Sequence, residues 1–539
     1  MVPRALTTVA ALALAARPLV AQMDTHEHGG QPPAHLGRVS FPSSCSAAAA
    51  ASIERGVALL HSFWYEEAGQ AFRDAGRADS TCAMAAWGEA TSLLHPLWQP
   101  SSPKDLRDGA ALVARARGLG AATARERGYV EAIGAFYDGD SASSFGQRVR
   151  AWSEGLARLH AVEPADTEAA IFYALSLVAV AQNSPPDTTL ALQRAAGDIL
   201  EPLFQRQPDH PGLAHYLIHA YDSPALAGRA VRAADRYASI APSVPHALHM
   251  PSHIYTRLGM WDASLKSNGA AAAAARRYEA EQHLGAVWDQ RLHSMDYMAY
   301  AYLQEGRDAE ARRLVAEAGR MELVTPAHST AAEYALTAIP ARYALERGRW
   351  REAAVLALRP GLTDPGAVAV TYFARAVGGA RAGDTAVARG ALVALAALDD
   401  STTARHVPVW AGTVHAQRLA AAAWLALAQG DTTSALSLAA QAADLEETTP
   451  KHPVTPGAIL PARELQGDLL VVVGRPADGL KAYEASLAHA PRRARSLLGA
   501  ERAARRSGDL AAAARWRREY RALLAHATGG RDRLPAAGS

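Results

Sequence analysis

The chain has 539 residues, a formal net charge of +2 and 49% hydrophobic residues, of which few are aromatic and many are alanine. A near-neutral chain creates no field that attracts a polyanion, so we expect no nucleic-acid partner. Because alanine is the best helix former and a poor strand former, this composition favours closely packed helices over sandwiches and barrels.

The N-terminus predicts export. It begins Met-Val-Pro-Arg, continues with an apolar run over 5–16 and reaches Leu-Val-Ala at 19–21. A basic start, a short apolar run and small residues before a cut site are typical of a secretory signal peptide, which we assign to residues 1–21. The run is too short to cross a bilayer and no longer one follows, so we expect a periplasmic or secreted protein without a transmembrane anchor.

Residues 22–45 are rich in His, Gly, Pro and Ser and have no helical period, which predicts a flexible leader. Cys45, at its end, and Cys82 are the two cysteines of the chain. In an oxidising compartment an even count favours a disulfide between them, the alternative being two buried, unpaired thiols.

Helical patterns follow one another from about Ala47 onward, which predicts an all-α protein. Glycine recurs where one helix ends and an alanine-rich helix begins, as in Leu-Gly-Met-Trp-Asp at 258–262 and Arg-Gly-Arg-Trp-Arg-Glu-Ala at 347–353. One interval, from Gly474 to Gly508, spans 34 residues. The pattern resembles the tetratricopeptide repeat (TPR), a 34-residue helix–turn–helix unit that stacks into a solenoid.

The TPR resemblance covers nearly the whole mature chain and implies a superhelical array of about 8 or more helix pairs. We divide it into an N-terminal block at 46–330 with a His-rich groove, a C-terminal block at 331–527 and a disordered tail at 528–539. The chain also resembles exported bacterial TPR proteins of unassigned function, which supplies an exported context and no activity. The stretches that carry this second resemblance are Phe-Pro-Ser-Ser-Cys (41–45), Cys-Ala-Met-Ala-Ala-Trp-Gly (82–88), Pro-Asp-His-Pro-Gly-Leu-Ala-His-Tyr-Leu-Ile-His-Ala-Tyr-Asp (208–222) and His-Met-Pro-Ser-His-Ile-Tyr-Thr-Arg-Leu-Gly (249–259).

Histidines concentrate in the N-terminal block. The window 210–253 holds six of the chain's 20 histidines, and His293 follows one repeat later. His215 and His219 are four residues apart, as are His249 and His253, so each pair shares one face of a helix and can chelate one ion.

The repeat register, which is fixed by glycine and alanine, places these side chains on the concave surface. If Gly259 is position 15 of its repeat, the three histidines before it fall at positions 2, 5 and 9, which face the groove of a TPR array. The neighbouring repeats bring further candidates to positions 2, 5, 9 and 12. The predicted ligand set is His215, His219, Asp222, His246, His249, His253, His293 and Asp296.

Imidazole with occasional carboxylate suits a transition metal such as zinc, copper or iron, and not calcium or magnesium. The set exceeds the needs of one tetrahedral zinc, so one ion and two ions both remain open. The predicted function is metal handling or metal-dependent chemistry in an exported TPR protein. The alternative is a periplasmic scaffold whose polar groove binds a peptide or protein partner without metal, since histidine also serves in such grooves.

Overall fold

The computed structural model describes residues 35–97, 100–404 and 408–527, which form one compact unit. The predicted signal peptide, the start of the predicted leader and the predicted tail lie outside the described residues. The described end of the leader, residues 35–45, contains no helix, yet Phe41 is 1% exposed and stacks on Trp87 with ring centroids 5.2 Å apart. Cys45 is bonded to Cys82, so the predicted disulfide is confirmed and this end of the leader is packed against the first helices.

The described residues are almost entirely helical. The first helices are α1 (Ala47–His61), α2 (Tyr65–Ala78), α3 (Ala83–Ser92), α4 (Pro103–Leu119), α5 (Ala124–Tyr137), α6 (Phe145–Val162), α7 (Thr167–Gln182), α8 (Ala191–Arg206), α9 (Pro211–Ala220), α10 (Val231–Ile240), α11 (Pro245–His249), α12 (Pro251–Arg257) and α13 (Trp261–Glu281). Short 3-10 helices lie at Ala227–Ala230 and Leu524–His526.

The later helices follow in the same alternation. They are α14 (Asp289–Gln304), α15 (Asp308–Ala318), α16 (Thr330–Glu346), α17 (Trp350–Ala354), α18 (Pro365–Ala382), α19 (Thr385–Ala404), α20 (Pro408–Ala428), α21 (Thr432–Thr448), α22 (Ala462–Val472), α23 (Pro476–His489), α24 (Ala494–Ser507) and α25 (Leu510–Leu523). Two parallel two-residue strands, β1 (Val287–Trp288) and β2 (Val324–Thr325), pair Val287 with Val324. Among the described residues, no helix combines the length and apolar character needed to cross a bilayer.

Successive helices pack against one another and form the predicted all-α TPR solenoid. The number of helix pairs exceeds the minimum of about eight that the sequence predicts. The turns within the last seven pairs each contain a glycine with positive φ, a backbone conformation that costs other residues strain. These turn glycines are Gly259, Gly306, Gly348, Gly383, Gly430, Gly474 and Gly508. The glycine signature therefore identified the helix turns correctly, whereas the division into two blocks at residue 330 stays a prediction.

The superhelix curls until its last repeats touch the middle of the chain. Arg493, which precedes α24, is fully buried and donates to the hydroxyl of Tyr300 at 2.7 Å, to Glu346 at 2.8 Å and to Glu464 at 3.1 Å. The Trp261 indole N–H donates to a carbonyl in the same turn, that of Arg492, at 3.0 Å. This closure joins helices α13, α14, α16, α22 and α24 around one interior.

Candidate metal centre

One histidine cluster joins α9 to α11. His215 and His219 project from α9, and His246 comes from the first turn of α11. Nε2 of His215 lies 3.1 Å from Nε2 of His219 and 3.1 Å from Nε2 of His246. We call these three residues cluster 1; each offers a ring nitrogen within 4.8 Å of the other two.

A second cluster repeats this arrangement one repeat later. His249 ends α11, His253 lies in α12 and His293 comes from α14. Nε2 of His249 lies 3.0 Å from Nε2 of His253, and all three residues offer ring nitrogens within 4.8 Å of one another. We call these residues cluster 2. Each cluster thus consists of two histidines four residues apart together with one histidine from the following helix of the concave surface.

The structure brings together all six histidines of the predicted ligand set and divides them into two groups of three, so that each four-residue pair belongs to its own cluster. The sequence left one ion and two ions open. His246 and His249 both lie in the short helix α11, but Nε2 of His246 meets His215 and Nε2 of His249 meets His253.

The two predicted carboxylate ligands lie outside both clusters. Oδ2 of Asp222 is 2.8 Å from Nδ1 of His253, on the side of the ring remote from cluster 2, and Oδ1 accepts from Arg257 at 2.8 Å. Oδ1 of Asp296 accepts from Nε of the buried Arg342 at 3.3 Å. Both side chains therefore contact other protein groups rather than the Nε2 atoms of the clusters.

Proline determines where two of these helices begin. Pro211 and Pro245 occupy the first turns of α9 and α11, where a missing N–H costs nothing and the fixed φ suits a helix. Pro251 separates α11 from α12, since it cannot donate to the carbonyl four residues back. Met250 nevertheless keeps helical angles, with φ −53° and ψ −36°, so His249 and His253 still share a face across the break.

Burial keeps the six imidazoles neutral. Their exposure ranges from 0% for His215 to 7% for His219. Loss of hydration is the main reason that the pKa of every ring lies below its ordinary value, falling to about 3 for His246 and about 4 for His253. The pKa values of the other four are also lowered, by burial first and by neighbouring imidazoles second. Neutral imidazole is the form that binds a metal ion.

In cluster 2 the outer nitrogens of His249 and His253 fix the position of their ring protons, whereas Nδ1 of His293 has no hydrogen-bond partner among the described residues. Nδ1 of His253 faces the carboxylate of Asp222, and Nδ1 of His249 lies 2.6 Å from Oδ1 of Asn268. Nδ2 of Asn268 donates to the Ser264 carbonyl at 2.8 Å, so the amide oxygen is the atom that faces His249. Because both acceptors lack a proton to give, each Nδ1 carries the hydrogen and each Nε2 presents a lone pair.

Cluster 1 has a similar outer contact. Nδ1 of His215 lies 2.6 Å from the backbone carbonyl of His61, which can only accept. Nδ1 therefore carries the hydrogen, and Nε2 of His215 presents a lone pair. Nδ1 of His246 lies 3.3 Å from Oε1 of Gln290. A hydrogen bond from one imidazole nitrogen that leaves the other free to coordinate is the usual arrangement around protein-bound metals.

One aromatic ring packs on each cluster. The Phe63 ring lies 4.3, 5.5 and 5.7 Å, between centroids, from the three rings of cluster 1. The Tyr297 ring lies 4.8, 5.1 and 5.4 Å from the three rings of cluster 2, and its hydroxyl donates to the Thr455 carbonyl at 3.0 Å. These rings exclude water from the flank of each cluster.

A third group of ligand-type residues has a different chemistry. Nε2 of His61 lies 2.7 Å from one oxygen of Glu168, and Nε2 of His210 lies 2.8 Å from the other. Although burial opposes ionisation, the two histidines lower the pKa of Glu168 to about 2, so its carboxylate accepts an N–H from each ring. Every close nitrogen–oxygen contact in this group can contain a proton, so these contacts need no ion, although Nδ1 of His210 is buried without a hydrogen-bond partner in the described part of the chain.

A cavity of about 410 Å³ borders cluster 1 at His219. His219 and Asp222 form part of its wall, and the loop between α21 and α22 forms another part through Lys451 and His452. Nζ of Lys451 lies 2.6 Å from Oδ2 of Asp222, and His452 stacks on Trp410 with ring centroids 4.5 Å apart. A site of this size, with aromatic walls and a few polar groups, suits a small organic molecule.

Several residues of the site were not anticipated from the sequence. The His61 carbonyl, Phe63 and the loop over 449–461 reach the clusters from more than 150 positions away in sequence. Asn268 and Gln290 lie nearer, but an amide on a helix has no pattern that marks it as a partner of histidine. The unusual density of histidine was the usable signal, and it identified only the ring-bearing residues.

Comparisons with known proteins do not identify a family for this chain. No family model matches the chain, and no curated protein matches it. Among solved structures, "Human IFIT1 dimer with PPP-AAAA" is 12% identical, covers 89% of this chain and 92% of its own, and has a TM-score of 0.37. "Crystal Structure of the Yeast Tom70" is 11% identical, covers 88% and 92% respectively, and has a TM-score of 0.32. At these scores the likeness carries no argument about the site.

Proposed function

We propose that this chain is an exported TPR protein that binds a transition metal through the histidines of clusters 1 and 2 and uses it for chemistry on a small molecule. The observation that carries the proposal is the pair of nitrogens in cluster 2. Nε2 of His249 and Nε2 of His253 lie 3.0 Å apart, and the outer contacts assign a lone pair to each.

Two lone pairs at this distance repel each other unless a cation lies beside them. A proton on one ring would supply the attraction, but burial keeps the pKa of His253 near 4 and the pKa of His249 well below its ordinary value. A metal ion supplies it instead, and three imidazoles per cluster satisfy zinc, copper or iron with one position left for a further ligand.

The cavity favours chemistry over storage. A handling protein needs a site from which the ion can be transferred, whereas a catalytic site needs a closed space for substrate beside an open coordination position. The partly open cavity between the 449–461 loop and His219, the one cluster histidine in its wall, supports the second role. The rings of the clusters are 0–7% exposed, which supports enclosure of the ion by the protein.

The first experiment measures metal in untagged protein that has been exported, purified without chelator and kept at full length. We expect close to stoichiometric zinc, copper or iron. Replacing His215, His219, His249 and His253 together with alanine should abolish it, whereas His489→Ala, at an exposed position, should leave it unchanged. Circular dichroism of each variant establishes that loss of metal is not loss of fold.

Metal-free wild-type protein that stays below a tenth of an equivalent after incubation with zinc, copper and iron would overturn the proposal. The alternative would then stand, namely a periplasmic scaffold that binds a peptide or protein. If the quadruple variant does not fold, the milder Asn268→Leu variant replaces it in the metal measurement. This variant removes an outer acceptor but no ligand.

A further inference from the structure

We infer that clusters 1 and 2 form a single dinuclear copper centre that binds dioxygen between its two ions. This inference rests on the proposed function and specifies the metal, the number of ions and the small molecule that they bind. Its basis is the short distance between the rings of cluster 1 and those of cluster 2, which the metal proposal does not use.

The clusters are as close to each other as their own members are. Within cluster 1 the most separated rings, His219 and His246, have centroids 6.4 Å apart. Between clusters, His219 and His253 are 5.9 Å apart, and His246 and His249 are 6.0 Å apart. Two independent mononuclear sites need no such contact, whereas ions held by rings this close can share one bridging ligand.

The bridge has to come from outside the protein. No carboxylate oxygen of the described residues belongs to either cluster, since Asp222 contacts Nδ1 of His253 and Asp296 contacts Arg342. Phe63 and Tyr297 pack on all three rings of their clusters, one on each. The space between the clusters is therefore bordered by imidazoles from both.

The donor set selects copper. Di-iron sites inside helical proteins are built mainly from glutamates, which neutralise the ions, whereas these clusters offer six neutral imidazoles. Imidazole is a good ligand for both oxidation states of copper, and among divalent ions copper binds nitrogen sites most strongly. Three neutral imidazoles fill the coordination shell of Cu(I), which prefers low coordination numbers and carries little charge into a buried site.

Two Cu(I) ions can supply the two electrons that dioxygen accepts when it binds between them. Each Cu(I) gives one electron and becomes Cu(II), dioxygen accepts both electrons, and its O–O bond order falls from two to one. The product is a bound dianion that neutralises two of the four positive charges. No proton and no further reductant is needed for binding, and loss of dioxygen reverses the transfer.

The test loads full-length, metal-free protein with Cu(I) under anaerobic conditions and then adds dioxygen. We expect about two copper ions per chain, uptake of one dioxygen for each pair, and a Cu(II) electron paramagnetic resonance signal of less than a tenth of that expected from the copper present, because the two spins couple through the bridge. Zinc alone should also fill both clusters but should take up no dioxygen.

Single-residue variants distinguish a dinuclear copper centre from two independent copper sites. His246→Ala and His293→Ala each disable one cluster, so each should retain about one copper, show a full Cu(II) signal after chemical oxidation and lose dioxygen uptake. His489→Ala should behave as the parent. The wild-type measurements decide the question even if a cluster variant does not fold.

The two proposals fail in different ways. Copper bound at one ion per chain, or at two with a full Cu(II) signal and no dioxygen uptake, would overturn the dinuclear inference and leave the metal proposal intact. Failure to retain any metal would overturn both.

Discussion

Nδ1 of His253 lies 2.8 Å from Oδ2 of Asp222, so the carboxylate contacts the ring on the side opposite cluster 2. The same carboxylate pairs with Arg257 at 2.8 Å and with Lys451 at 2.6 Å. Although burial opposes it, these two cations hold the pKa of Asp222 well below its ordinary value. Asp222 therefore stays ionised and orients the imidazole of His253.

Asp222→Asn tests this orienting role. An amide in place of the carboxylate no longer fixes the hydrogen on Nδ1 of His253, so we expect metal affinity to fall about 10–100-fold with the fold retained. Metal titration and circular dichroism measure the two effects. Asp235→Asn is the matched control, because Asp235 accepts only from the Tyr255 hydroxyl at 2.8 Å on the surface. Unchanged affinity in Asp222→Asn would show that the ring is held by packing alone.

Tyr297→Phe tests the docking of the loop over cluster 2. The variant keeps the ring that packs on the histidines and removes the hydroxyl, which donates to Thr455 at 3.0 Å and also lies 3.3 Å from each ring nitrogen of His253. One lost hydrogen bond should cost about 1 kcal/mol, and amide hydrogen exchange should increase over residues 449–461. Tyr255→Phe, which removes a surface hydroxyl, should leave this loop unaffected. Equal exchange in both variants would mean that other contacts hold the loop.

Arg493→Ala tests the closure of the superhelix. The guanidinium is 0% exposed and contacts Glu346 and Glu464, so its removal leaves the buried carboxylate of Glu346 without its ion-pair partner, whereas Glu464 retains Arg495. We expect the free energy of unfolding to fall by about 3–5 kcal/mol in denaturant titration. Arg515→Ala breaks an exposed pair with Glu484 and should cost at most about 1 kcal/mol. A similar small loss for Arg493→Ala would show that apolar packing holds the last repeats against the middle of the chain.

The disulfide between Cys45 and Cys82 should stabilise the N-terminal repeats. It closes a loop with a sequence separation of 37, so restricting the unfolded chain contributes about 4 kcal/mol in the chain-entropy model. Replacing both cysteines with serine should lower the denaturation midpoint accordingly, and thiol titration of the unfolded, unreduced parent should find no free thiol. An unchanged midpoint would contradict the entropic estimate.

Asp364 should make stability depend on pH. Burial raises its pKa to about 6, so the folded state binds a proton more tightly than the unfolded state does. The contribution of Asp364 to the free energy of unfolding is fully present below about pH 4. It falls by about 3 kcal/mol in total as the pH rises towards 6. Asp364→Asn keeps a capping side chain for α18 and should remove this slope. The exposed cap variant Asp384→Asn should retain it, and equal slopes in parent and Asp364→Asn would contradict the assignment.

The fold was predictable because its signals are local. A glycine with positive φ ends one helix wherever the sequence showed glycine before an alanine-rich run, as at Gly259 and Gly474. These turns need no information from distant residues. The register that they fix predicted that the six histidines lie together, and the structure places them in two adjacent, buried clusters.

The division of the site into two clusters was not predictable. It depends on the rotation of α11, because Nε2 of His246 meets His215 of α9 and Nε2 of His249 meets His253 of α12, and helix rotation is set by packing that sequence spacing does not encode. The outer position of Asp222 has the same origin, since α9 ends at Ala220 and the chain turns before that residue. The contact from Thr455 depends on the closure of the superhelix, whereas the contact from His61 depends on the packing of α1 against α9.

That closure also orders events in time. The histidine-bearing helices α9–α14 precede α22 and α24 in the chain, so during synthesis they exist before the repeats that close the superhelix. If the chain binds the proposed ion, the ion can reach the rings before Arg493 docks. Its residence time would then depend on how often the C-terminal repeats detach, so that the stability of a contact remote from the histidines would govern metal exchange.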